Sequence, residues 1–120
     1  MKVRNYTDLI AWQKAMTLVQ EIYKITKRFP TDERYGLKAQ LRRAVVSVPS
    51  NIAEGEGRSS TAEFHHHLSI AHGSVREIET QIWISAGLGY LQKEGISHVL
   101  KLTSEVGRLI KGLSNSLIRK

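Results

Sequence analysis

Arg42-Arg43-Ala44-Val45-Val46-Ser47-Val48-Pro49-Ser50-Asn51-Ile52-Ala53-Glu54-Gly55-Glu56-Gly57-Arg58 is the stretch on which the fold turns. Leu37 and Leu41 lead into it, and Val45, Val48 and Ile52 continue at steps of three and four, the period of an amphipathic helix. Pro49 stands in the middle of that pattern. A proline inside a helix removes one backbone hydrogen bond and crowds the carbonyl four residues back, at about 3 kcal/mol. The pattern therefore predicts a helix kinked at Pro49 and restored by packing, with Ser47 or Ser50 covering the freed carbonyls. Gly55 and Gly57 are expected to supply the left-handed residues that end it.

The same period extends in both directions. A first helix, over about 8–28, is capped by Thr7 or Asp8 and carries Leu9, Trp12, Met16, Val19, Tyr23 and Thr26 as its inner stripe. Phe29-Pro30 stops it, because proline disfavours helical geometry at the residue before. Thr31 caps the second helix, over about 32–55. Ser60-Thr61-Ala62-Glu63 reads as a capping box for a third helix, over about 61–87, with Phe64, Leu68, Ala71, Val75, Ile78 and Ile82 inward. The fourth, over about 95–117, runs through Val99, Leu102, Val106, Leu109, Leu113 and Leu117. Helices of about 20 residues are about 30 Å long. Joined by short loops they make an all-α, antiparallel up-down four-helix bundle, one domain over residues 1–120.

The chain has no cysteine, which excludes disulfides and thiolate metal sites. It has no apolar run of 18 residues, so a cytoplasmic protein without a membrane partner is expected. Its net charge is +7 and its pI about 9.9, which favours a polyanionic partner. The surplus is uneven. Lys24, Lys27, Arg28, Arg34, Lys38, Arg42 and Arg43 face only Asp32 and Glu33 between positions 24 and 43. This cluster is either a solvated, solubilising face or a patch that contacts the phosphates of RNA or DNA. Few aromatics accompany it, with Tyr35 taken as the nearest, so base stacking and sequence reading are not indicated.

No catalytic constellation emerges. Glu63-x-x-His66 has the spacing of di-iron bundles, which need it twice together with further glutamates, and it occurs once. Consecutive His65, His66 and His67 diverge on a helix and cannot converge on a metal. Glu54/Glu56 and Glu77/Glu79 are two residues apart, about 200° around a helix, so neither pair can share a Mg²⁺. No phosphate-binding glycine loop or nucleophile motif is present. No metal, cofactor or enzymatic activity is expected.

Two further features concern packing. Ser47, Asn51, Glu54 and Arg58 line one edge of the second helix at i, i+4, i+7 and i+11, a structural polar line suited to hydrogen bonds with a neighbouring helix or subunit. On the third helix Ile70, Gly73 and Ile84 lie opposite the core stripe, and Trp83 is also off its centre. An apolar face beside a small residue predicts an oligomer interface through Ile70, Gly73, Trp83 and Ile84.

Asp8-Leu9, Trp12-Gln13-Lys14-Ala15-Met16, Phe29-Pro30, Tyr35-Gly36-Leu37, Gln40-Leu41-Arg42-Arg43-Ala44, Val48-Pro49-Ser50-Asn51-Ile52-Ala53-Glu54-Gly55, Gly57-Arg58 and Ala71-His72-Gly73-Ser74 together resemble the bacterial four-helix bundle family of 23S rRNA intervening-sequence, or S23-type, proteins. The likeness covers nearly the whole chain. It implies a cytoplasmic bundle assembled as a ring-like homopentamer, with no catalytic residues to carry over. The accessory protein of diversity-generating retroelements is similar in fold, partners a reverse transcriptase and binds nucleic acid through a basic surface. The resulting expectation is a non-enzymatic homo-oligomer that binds RNA non-specifically. The alternative is an interaction scaffold or accessory subunit for a nucleic-acid-processing protein.

Overall fold

A computed structural model describes residues 5–118. Four helices run through them: α1 (Ile10–Thr26), α2 (Leu37–Glu56), α3 (Thr61–Gly87) and α4 (Lys93–Ile118), with single 3₁₀ turns at Tyr6–Asp8 and Thr31–Glu33. Among the described residues there is no strand, and no helix is long and apolar enough to cross a membrane. α2 packs against both α1 and α3, and α4 closes the bundle against α3 and α1, giving a body of 46 × 25 × 19 Å.

The core follows the expected stripes in three helices. Leu41, Val45, Val48 and Ile52 of α2, Leu68, Ala71, Val75, Ile78 and Ile82 of α3, and Val99, Leu102 and Val106 of α4 are buried together. In α4 the buried stripe then continues through Ile110, while Leu109, Leu113 and Leu117 sit at the margin of the core. α1 departs from expectation. Leu9 and Thr26 are buried as expected, but between them the buried residues are Ala11, Ala15, Leu18 and Ile22, one position before Trp12, Met16, Val19 and Tyr23. Met16 and Tyr23 are more than one-third exposed. Two alanines on the inner face let α1 lie close to its neighbours, whereas bulky amphipathic side chains are accommodated at the edge, where their polar ends stay wet.

The helix ends also differ in detail. Asn5, not Thr7 or Asp8, caps the first turn, its Oδ1 accepting from Thr7 N–H at 3.0 Å. A 3₁₀ turn separates Thr31 from α2, and Glu33 takes over the capping, its Oε1 accepting from Leu37 N–H at 2.9 Å. A Cβ on Gly36 would fall 2.7 Å from Glu33 Oε1, so glycine there leaves the carboxylate room to keep its bond to Leu37. Ser60 caps α3 as expected, Oγ accepting from Glu63 N–H at 3.1 Å. Neither Gly55 nor Gly57 is left-handed. Among the described residues Gly89, at φ 79°, alone adopts that conformation, in the α3–α4 turn.

α2 is continuous through Pro49, which is buried. Ser47 is turned away from the carbonyls that Pro49 frees and toward α3, where its hydroxyl shares a 2.8 Å hydrogen bond with Ser74. Gly55 lies within α2 where α3 crosses it. A Cβ at that position would meet His67 Cβ at 2.7 Å and Phe64 Cδ1 at 3.0 Å. The glycine is there for close approach, not for helix termination.

Candidate nucleic-acid interface

The up-down topology brings the end of α1, the turn that follows and the start of α2 to one end of the bundle. The α3–α4 turn meets them there. The Phe29 and Tyr90 rings are 5.3 Å apart, and Tyr90 O–H donates to Glu33 Oε2 at 2.9 Å. Those two bonds, from Leu37 N–H first and Tyr90 second, hold the Glu33 carboxyl below its ordinary pKa, and the carboxylate in turn pushes the Tyr90 phenol up. One of the two acids in the basic stretch is therefore committed to structure.

Lys24, Lys27, Arg28, Arg34 and Arg43 are exposed at this end and Lys38 is half-exposed. Ion pairs among the described residues join Lys14 to Glu105, Arg58 to Glu54 and Arg76 to Glu79, and His98 Nε2 lies 3.0 Å from Glu21 Oε1. None draws on the cluster. Lys93, at the first turn of α4, joins the same end although it lies 50 residues beyond Arg43 in the chain. Only the folded topology reveals its place.

Arg42 stands apart from the others. Its Nε donates to Thr26 Oγ1 at 3.0 Å, its Nη2 to the Tyr23 carbonyl at 3.1 Å, and its guanidinium lies 4.4 Å from the Tyr23 ring centre. It ties α2 to the C-terminal turn of α1 and satisfies an end carbonyl that the helix leaves open. Arg34 lies over its neighbour Tyr35, at 5.3 Å, and the tyrosine as a whole remains largely exposed.

The polar line of α2 divides in two. Ser47 and Asn51 face α3: Asn51 Nδ2 donates to the Ser47 carbonyl at 2.9 Å and to Ser47 Oγ at 3.2 Å, and His67 Nδ1 donates to Asn51 Oδ1 at 3.0 Å. Glu54 and Arg58 instead pair with each other at 2.6 Å on the surface. Ile70 and Ile84 are 41% and 47% exposed on the outer face of α3, and the space around Gly73 is open. Trp83, 61% exposed, belongs to another face and lines a groove with Ile96 and Leu100 of α4. Among the described residues no three His, Asp or Glu side chains converge on a point that could hold a metal ion.

The family model for the 23S rRNA-intervening sequence protein matches residues 7–112, from the capped first turn through most of α4. The chain belongs to this family. The solved structure of a protein of unknown function from the S23 ribosomal protein family of Bacteroides thetaiotaomicron is similar, with a TM-score of 0.81 at 20% identity over 88% of this chain and 96% of that one. At that identity the likeness concerns the four-helix fold. Comparison with curated proteins gives no match. The Val48-to-Gly55 stretch has a visible physical role here: through Asn51 and Gly55 it builds the close α2–α3 contact, away from the basic end.

Proposed function

We propose that this protein is a non-enzymatic, cytoplasmic nucleic-acid-binding module that contacts backbone phosphates of RNA through the end of the bundle where α1 gives way to α2. The observation that carries the proposal is a local surplus of unpaired positive charge: Lys24, Lys27, Arg28, Lys38 and Arg43 gather at one end, outnumbering Glu21, Asp32 and Glu33 there, and none of the five takes part in an ion pair among the described residues. Polyanion binding by such a surface is driven by release of condensed counterions and is insensitive to base sequence. Arg42 supports the site by fixing the two helices and does not itself take part.

Self-association belongs to the same proposal. Ile70, Gly73 and Ile84 form an outward apolar stripe on α3, and a ring built through it repeats the basic end once per subunit, strengthening weak contacts through multivalency. Membership of the family agrees with a role near RNA, since its description refers to an intervening sequence of 23S rRNA.

The direct test is retention of single-stranded and duplex RNA at low and moderate salt. Lys27→Glu combined with Arg43→Glu is expected to weaken retention by roughly tenfold or more and to flatten its salt dependence, while helical content is unchanged. Binding by the unaltered protein that is absent even at low salt sinks the proposal. Recovery of a protein partner after nuclease treatment, without RNA retention, identifies the scaffold alternative.

A further inference from the structure

A second basic region lies outside the sequence cluster, in the groove between α3 and α4. His72, Arg76 and Glu79 recur at i, i+4 and i+7 along α3, and Ser104, Arg108 and Lys111 repeat that spacing along α4. The groove between them holds a hollow of about 540 Å³. Glycine makes the room: a Cβ on Gly107 would sit 3.8 Å from His72 Nε2 and Val75 Cγ1, and nothing lies within 4 Å of that position on Gly112.

The charge in this groove is ordered. Glu79, the one acid lining this hollow, accepts from Thr103 Oγ1 at 2.9 Å and pairs with Arg76 at 3.1 Å, so its carboxylate is occupied within the wall. Arg108 Nη1 donates to Ser104 Oγ at 2.7 Å, which sets the guanidinium at the lip. His72 registers the local field. Burial, then Lys111 and Arg76, lower its pKa against the weaker opposing pull of Glu79, leaving a neutral imidazole on a positive surface. Such a set of donors suits a group with several anionic oxygens.

The hollow adjoins a larger, mainly apolar one of about 810 Å³, with Ser104 and Arg108 lining both. Trp83, Ile96 and Leu100 form its apolar walls, with Lys93, Lys101 and Glu105 at its edge, the glutamate paired with Lys14 of α1. Arg76 and Trp83 are seven positions apart on one helix, about 10 Å along its axis. That is close to the distance from the base of a nucleotide to its outer phosphates. An indole on one side and guanidinium groups at that distance match the two chemically distinct ends of one molecule.

We propose that the α3–α4 groove binds a nucleoside di- or triphosphate, its phosphates held by Arg76, Arg108 and Lys111 and its base stacked on Trp83. The site meets the basic end only at Lys93, and the residues that would hold the phosphates lie apart from those to which RNA binding is assigned.

ADP and inorganic pyrophosphate, each titrated in EDTA at low salt into the full chain, test this by calorimetry. A Trp12→Phe background lets Trp83 fluorescence report base stacking. The expected result is saturable ADP binding with a dissociation constant of roughly millimolar or tighter and quenching of Trp83. Arg108→Glu with Lys111→Glu, both on the surface, should weaken ADP at least about tenfold with the circular dichroism spectrum unchanged. Trp83→Ala should weaken ADP about fivefold or more and leave pyrophosphate as before. No saturable ADP binding, binding that survives the Arg108/Lys111 reversal, or pyrophosphate bound as tightly as ADP each overturns the proposal. Titrating ADP into Lys27→Glu/Arg43→Glu separates the two surfaces: retained ADP affinity supports distinct sites, and its loss overturns the assignment to the groove.

Discussion

The two helix pairs that share α3 use glycine in opposite ways. Where α2 crosses α3, Gly55 removes a side chain so that the helices can close until His67 and Phe64 fill the space. Where α4 runs beside α3, Gly107 leaves room that His72 and Val75 only border and the space at Gly112 is open, beside a groove lined by cations. The polar groups differ accordingly. Toward the Gly55 end of the α2–α3 seam they bond to one another, through Ser47, Ser74, Asn51 and His67, while toward the other end Gln81 donates to Gln40 at 3.3 Å and its own Oε1 is buried without a partner among the described residues. Between α3 and α4 the outer ones, Arg76, Arg108 and Lys111, keep donors pointing to solvent. The same residue type builds a joint in one seam and a site in the other, and what distinguishes them is what the neighbouring helix does with the room.

One substitution made at both places puts this contrast under strain. Gly55→Ala is expected to destabilise the protein by about 1–3 kcal/mol, because the added methyl and the His67 β-carbon cannot both be accommodated without backbone movement. Gly112→Ala, in open space within α4, is expected to stabilise by about 0.4–1 kcal/mol through the reduced freedom of the unfolded chain. Urea midpoints with unchanged slopes measure both, and equal effects at the two sites erase the contrast.

Arg42→Met comes next in size. Loss of the bonds to the Tyr23 carbonyl and Thr26 hydroxyl should cost about 1–2 kcal/mol, while RNA retention stays close to that of the unaltered protein. A large fall in retention with little change in stability would return Arg42 to the binding surface. Ser74→Ala should cost about 1 kcal/mol, less than Gly55→Ala, since Asn51 Nδ2 still satisfies the Ser47 hydroxyl.

The smallest expected effect concerns the charged end. Glu33 has a depressed folded-state pKa, so its contribution is present above the ordinary glutamate value of 4.5 and is lost as pH falls through the folded value. Glu33→Gln should therefore show a shallower loss of stability between about pH 5 and the acid limb than the unaltered protein, as read from urea midpoints across that range. Identical acid limbs would mean that the Leu37 and Tyr90 bonds do not favour the ionised carboxylate.

Much of the architecture is legible from the residues alone, because α2, α3 and α4 each carry a single dominant stripe of Leu, Ile and Val. α1 carries two stripes one position apart, both at steps of three and four. Trp12, Met16 and Tyr23 outweigh Ala11 and Ala15 by size, yet the alanines face inward. Size misleads here because an inner face can be selected for thinness. The basic end is equally legible as a run of charge, but the role of Arg42 is not, since its partners on α1 are 16 and 19 residues away. The α3–α4 groove escapes a linear reading altogether. Its signal is the matching polar spacing of His72-Arg76-Glu79 and Ser104-Arg108-Lys111, which means nothing until the two helices are known to be neighbours.

The hydroxyl pair of Ser47 and Ser74 has a consequence beyond its modest energy. Apolar stripes repeating every three or four residues allow two helices to slide by a turn and still bury much of the same surface. A 2.8 Å contact between two short side chains, with Asn51 and His67 bonded just beyond it, admits one alignment only. These groups act as an index mark for α2 on α3. They set which residues of the outer faces stand side by side, Val46 among them on α2 and Ile70 and Gly73 on α3, and so determine the shape that any neighbouring subunit would have to fit.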